Sequence, residues 1–128
     1  MKSKWFFVLA LIGCAAQAEP GWRSGMLVGE GGKSLYTFDK DALGKSNCIG
    51  GCAVQWPPYM AKPGEKPATD FGFVTAGQQW TFQGKPLYYF VADEKAGDKK
   101  GDGAGGVWHL AQTDKAKPEA QLAPSSSY

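Results

Sequence analysis

Residues 32–41, Gly-Lys-Ser-Leu-Tyr-Thr-Phe-Asp-Lys-Asp, recur as residues 84–93, Gly-Lys-Pro-Leu-Tyr-Tyr-Phe-Val-Ala-Asp. The shared pattern is G-K-x-L-Y-x-F-x-x-D at a constant offset of 52, and Trp56 and Trp108 keep that offset. A period near 50 marks one supersecondary unit used more than once. Two copies are too few for a solenoid, so the repeat predicts a pseudo-twofold pair sharing one core, with copies at 26–60 and 78–112.

Each copy reads as a β-hairpin of β-branched and aromatic residues bounded by Gly and Pro. In the first, Met26-Leu27-Val28 is a short strand, Gly29 to Gly32 the turn and Leu35 to Phe38 the return strand. In the second, Trp80 to Phe82 leads through Gln83-Gly84-Lys85 to Leu87 to Val91. Strand alternation puts Tyr36 with Phe38, and Tyr88 with Phe90, on matching core faces. Asp41 and Asp93 fall just past the strands, where carboxylates commonly bond turn amides. Phe71 to Thr75 and Val107 to Ala111 are further candidate strands. A short helical turn is expected from Cys48 to Val54, capped by Ser46 or Asn47 and stopped by Trp56-Pro57-Pro58. The fold class is therefore mainly β: an antiparallel, duplicated domain at 19–112, followed by a disordered tail at 113–128.

Length and composition suit that reading. One domain is expected of 128 residues, and the 43% hydrophobic and 13% aromatic content supplies one small core. Glycine, at 18 of 128 residues, is roughly twice average usage. Lys2, Lys4, the apolar run Trp5 to Ile12 and Ala16-Gln17-Ala18 form the three-part pattern of a secretory signal peptide at 1–18. Leu11-Ile12-Gly13-Cys14 competes as a lipobox, in which Cys14 would be lipidated; release after Ala18 is favoured. Removing Lys2 and Lys4 takes two of the 14 basic residues and none of the 12 acidic ones, so formal charge falls from +2 to 0. That excludes a global basic field for nucleic acid. A periplasmic or secreted protein is expected, with a membrane contact only through Cys14.

The residues quoted resemble a bacterial family of small secreted proteins and lipoproteins with a repeated Y-x-[FWY]-x-x-D motif. Tyr36, Phe38 and Asp41 match it once, and Tyr88, Phe90 and Asp93 again. The stretch CIGGCAVQWPP, from Cys48 to Pro58, resembles that family's C-x-x-x-C-A-x-x-W-P-P signature, and Gly101 to Leu110 its G-x-W-H closing segment. The resemblance implies an envelope or secreted location and a duplicated unit, and it brings no catalytic residues.

Chemistry-bearing residues are few. Cys48 and Cys52 are more readily paired than free in an exported chain. Helical i,i+4 spacing is too wide for a disulfide, so a bridge would need a distorted turn, which Gly50-Gly51 permits. A rival set joins Cys48, Cys52 and the lone His109 as Cu(I) or Zn²⁺ ligands, or leaves the cysteine pair redox-active. No cofactor is otherwise expected. The acidic, Gly-rich stretch around Asp98 and Asp102 lacks a Ca²⁺-loop pattern. Gly31-Gly32-Lys33-Ser34 fails Walker spacing, and no nucleophile elbow accompanies His109. Trp22, Trp56, Tyr59 and Trp108 either fill the core or, exposed, stack on sugars or a partner protein. The function expected is a non-enzymatic binding or structural module for an envelope protein or small ligand. The alternative is periplasmic copper handling or thiol redox chemistry.

Overall fold

A computed structural model describes residues 20–112. The proposed signal peptide with Cys14, and the tail at 113–128, lie outside the described residues. Seven short strands are joined by long turns: β1 (Gly21–Arg23), β2 (Met26–Val28), β3 (Tyr36–Phe38), β4 (Phe71–Phe73), β5 (Trp80–Phe82), β6 (Lys85–Pro86) and β7 (Trp108–Leu110). One short helix, α1 (Gly51–Gln55), follows β3. All strand pairs are antiparallel: β1 with β2, β3 with β7, and β4-β5-β6 in order. The fold is mainly β and duplicated, as the repeat predicts.

The twofold passes through the two matching tyrosines. The Tyr36 amide donates to the Tyr88 carbonyl at 2.8 Å, and the Tyr88 amide returns the bond to Tyr36 at 3.0 Å. Backbone bonds radiate from this pair in matched sets. Leu35 donates to Leu27 as Leu87 does to Trp80, and Ala111 donates to Leu35 as Tyr59 does to Leu87. Leu27 donates to Ala111 as Trp80 does to Tyr59. Each copy thus begins its hairpin alone and then hands its return strand to the closing segment of the other half. β3 pairs with β7 in the register Tyr36↔Leu110, Thr37↔His109, Phe38↔Trp108.

The counterpart of that ladder is thinner. Tyr89 donates to Pro57 and Val91 to Gln55, mirroring the β3–β7 contacts. Residues Leu87 to Val91 nevertheless form no continuous strand, and Tyr88 is held by isolated bridges. The reason is chemical: Pro57 and Pro58 stand where β7 carries His109 and Leu110, and proline has no amide to donate. Two further departures are local. The helix begins at Gly51 rather than at Cys48, and Gly50 precedes it at φ 62 with no side-chain cap from Ser46 or Asn47. β1, which the sequence reading omits, pairs with β2.

The core has two parts. Leu27, Leu35, Tyr59, Trp80, Phe82, Leu87 and Ala111 form one, and Tyr36, Cys48, Trp56, Tyr88, Trp108 and Leu110 the other. In the second, four rings stack across the twofold. Phe38 lies on Trp108 at 4.2 Å, Trp108 on Trp56 at 3.8 Å, and Trp56 on Phe90 at 4.2 Å between centroids. Tyr36 and Tyr88 meet Trp56 and Trp108 edge-on, at 5.4 and 5.1 Å. Edge-to-face and offset contacts of this kind add about 0.5–1.5 kcal/mol each beyond area burial.

Candidate functional site

The repeated Tyr and Asp bond crosswise. Tyr36 Oη donates to Asp93 Oδ2 at 2.6 Å, and Tyr88 Oη donates to Asp41 Oδ2 at 2.6 Å. Each tyrosine therefore reaches the aspartate of the opposite copy. The second carboxylate oxygen binds the aspartate's own loop: Asn47 N donates to Asp41 Oδ1 and Lys100 N to Asp93 Oδ1. The turn-amide role expected of the aspartates holds. The cross-copy bond was not legible, because sequence spacing shows what lies along a strand and not what lies across an axis.

Burial, then the bond to Asp93, pushes the Tyr36 hydroxyl well above the ordinary phenol range. Burial, then the bond to Asp41, does the same to Tyr88. Burial also lifts Tyr89 to about 12. For Asp41, burial raises the carboxyl despite the bonds from Tyr88 and Asn47. Its folded form holds a proton more tightly than an unfolded chain does, so its contribution to stability weakens as pH rises past 3.8.

The sequence-predicted residues separate into two groups. Tyr36, Phe38, Trp56, Tyr88, Phe90, Trp108, Asp41 and Asp93 all converge on the twofold as braces and packing. Trp56 and Trp108 are each only 5% exposed and Tyr59 2%, so the core reading of these rings holds; Trp22, at 43%, is the exposed one. Cys48 and Cys52 stand at disulfide distance, with sulfurs 1.99 Å apart and Cα atoms 5.1 Å apart. Cys48 sits outside α1 and Gly50 turns the chain between them, which is the distortion that i,i+4 spacing requires. His109 is elsewhere: its Nε2 lies 2.8 Å from Asp39 Oδ2 at the surface. Among the described residues no three His, Cys, Asp or Glu side chains gather into a group able to hold a metal ion.

Around His109 the structure opens a groove of about 300 Å³ lined by Thr37, Asp39, Gln83, Lys85, His109 and Gln112, with the buried Phe82, Leu110 and Ala111 beneath. Alternation on β7 makes the groove: Trp108 and Leu110 point inward and His109 between them points out. Thr37 faces it directly across the ladder. The twofold carries this groove onto a second one of about 360 Å³, lined by Glu30, Lys33, Pro57, Tyr89 and Val91 among others. Thr37 maps to Tyr89, Asp39 to Val91, Lys85 to Lys33 and His109 to Pro57, all at an offset of 52. In the second groove the Tyr89 hydroxyl is already bonded, accepting from Glu30 N at 3.0 Å. Asp39, Thr37 and Lys85 were not singled out from sequence; the signal available was that the two copies differ at 37 and 89 and at 39 and 91 while Tyr36, Phe38 and Asp41 match Tyr88, Phe90 and Asp93.

A duplicated, mainly β domain locked across a twofold by reciprocal Tyr–Asp bonds is the class of protein these features define. The chain belongs to the family described as a secreted repeat of unknown function, whose model matches residues 24–60 and 75–112, one match for each half of the fold. No protein with a curated description matches the chain. No solved structure matches it.

Proposed function

We propose that this protein is a non-enzymatic exported binding module, free in the periplasm or outside the cell after cleavage at Ala18. The observation that carries the reading is the asymmetry of the two grooves. The tyrosines, aromatic rings and aspartates of the repeated Y-x-F-x-x-D motif are occupied in holding the halves together, whereas the groove at His109 carries Asp39 and His109 where its counterpart carries Val91 and Pro57. Side chains held on paired strands of a braced core suit a preformed site.

Titration of isotope-labelled protein with a solubilised envelope extract tests this. Reversible amide shifts at Thr37, Asp39, Lys85 and His109, with the extract chemically unchanged, are expected. New reaction products, or shifts absent from the groove, would overturn it. The rival copper or thiol reading requires Cys48 and Cys52 to open. Tight Cu(I) uptake by the reduced protein, lost in Cys48→Ser, would favour that reading instead. Mass spectrometry of the mature N-terminus tests location: an unmodified Glu19 is expected, and a diacylglyceryl Cys14 would make the protein lipid-anchored.

A further inference from the structure

We infer that the His109 groove takes a neutral, polyhydroxylated ligand, a saccharide. This rests on the binding-module reading above and names the ligand class of the same site. Two observations carry it beyond that reading.

The first is the balance of hydrogen-bonding groups. Asp39 only accepts, Lys85 only donates, and Thr37, Gln83 and Gln112 do both. One carboxylate, Asp39, stands against one ammonium, Lys85, so their opposite charges offset each other rather than select an ion. A hydroxyl both gives and takes a hydrogen bond, and neighbouring hydroxyls on a ring match a mixed acceptor and donor set. A phosphate or carboxylate would leave Asp39 opposed to like charge. His109 is held by Asp39 at 2.8 Å, which fixes the ring's orientation. Phe82, Leu110 and Ala111 belong to the buried core beneath the groove, so its open surface is the polar set.

The second is the internal control that duplication supplies. The other half builds a groove of similar size on equivalent backbone with Val91 and Pro57 in place of Asp39 and His109. Folding therefore does not require a polar residue at either place. Lysine is kept in both grooves, at 33 and 85, and a carboxylate lines both, so what distinguishes the His109 side is the imidazole with Asp39 beside it and a small hydroxyl at Thr37, where the second groove carries the already bonded Tyr89. A volume of about 300 Å³ lies at the small end of ligand pockets, roughly 300–1,000 Å³.

The test is an amide-shift titration of the folded protein with maltotriose, cellotriose and chitotriose, and separately with inorganic phosphate. At least one saccharide should move Thr37, Asp39, Lys85 and His109 together. Asp39→Val, which installs the residue found at the matching position, should raise its Kd at least tenfold without changing the melting temperature by more than a degree or two. Lys85→Met gives a second variant on the opposite wall and should also weaken binding. The inference is overturned if no saccharide moves the groove, if Asp39→Val binds equally well, or if phosphate alone binds there. An envelope extract that moves the groove while all three saccharides fail would sink the ligand class and leave the binding module standing. An extract that moves nothing would sink both.

Discussion

The two halves solve one problem with different materials. Each must hold a loop so that its aspartate meets the opposite tyrosine. In the second half, Gly101 N bonds the Tyr36 hydroxyl directly at 3.2 Å. A Cβ on Gly101 would lie 2.6 Å from a Trp56 ring carbon, so the loop packs flat against the ring stack. In the first half, a serine intervenes. Ser46 Oγ lies 2.5 Å from Tyr88 Oη and accepts from Cys48 N at 3.2 Å. With the Tyr88 proton on Asp41, Ser46 is the donor to Tyr88. The chain then closes through Cys48 and Cys52. One loop is held by close backbone packing and the other by a hydroxyl relay and a covalent link. The brace, rather than the loop that carries it, is therefore the invariant of the design.

Alkaline titration strikes the shared brace and should have the largest effect. Below pH 10.0 the hydroxyls of Tyr36, Tyr88 and Tyr89 are protonated in folded and unfolded chains alike. Above it the unfolded chain sheds protons that the folded chain keeps. Stability is therefore lost as pH rises, from 10.0 up to about 12 for Tyr89 and further for the other two. The slope approaches roughly 1.4 kcal/mol per pH unit for each tyrosine. Urea unfolding at pH 9, 10 and 11 measures it; a flat profile would contradict the burial of these groups.

Next come substitutions at the axis. Trp56→Ala and Trp108→Ala should each cost about 3–5 kcal/mol, and by similar amounts, because each ring stacks between the other and a phenylalanine. Asp93→Ala and Asp41→Ala should differ. Asp93 is only 3% exposed, and its loss removes the acceptor of the Tyr36 O–H, since Gly101 N can only donate, whereas Ser46 Oγ can turn to accept from Tyr88. A cost near 3 kcal/mol at 93 and about half that at 41 is expected from charge-assisted bonds of about 1.5–3 kcal/mol. Equal costs would mean that Ser46 contributes nothing to the first brace.

How much of this was readable beforehand follows from what a linear pattern encodes. Periodicity and identical spacing placed β2, β3, β4, β5 and β7 and paired the copies, since Leu35, Tyr36 and Phe38 answer Leu87, Tyr88 and Phe90 one for one. The strand exchange was not readable, because local alternation shows which face of β3 is buried and not which neighbour completes its ladder. Nor was the failed ladder at Tyr88, although Pro57 and Pro58 were read as helix stops; the same missing amides disrupt a strand. The groove escaped for the opposite reason. Thr37 and Asp39 follow no motif, His109 stands out only within G-x-W-H and as a candidate metal ligand, and their joint place in one groove emerges only from laying one half over the other.

The disulfide separates the halves further. Cys48→Ala with Cys52→Ala closes no loop, and the chain-entropy relation for so short a loop gives about 2 kcal/mol. Hydrogen exchange should then rise at Asn47 and Cys48 of the first loop and stay unchanged at Lys100 and Gly101 of the second. Exchange rising in both loops would show that the brace transmits the change across the twofold.

The smallest effect is the most telling for function. His109 and Asp39 are about half exposed, and exposed ion or hydrogen-bonded pairs contribute roughly 0–1 kcal/mol. His109→Ala should leave thermal unfolding within about 1 kcal/mol of the parent, as its counterpart Pro57 suggests. A loss of several kcal/mol would mean that the imidazole belongs to the scaffold after all, and the difference between the grooves would then be a difference in packing. Near-neutral stability leaves the one histidine of the chain without a folding role, which is the condition the proposed groove requires of it.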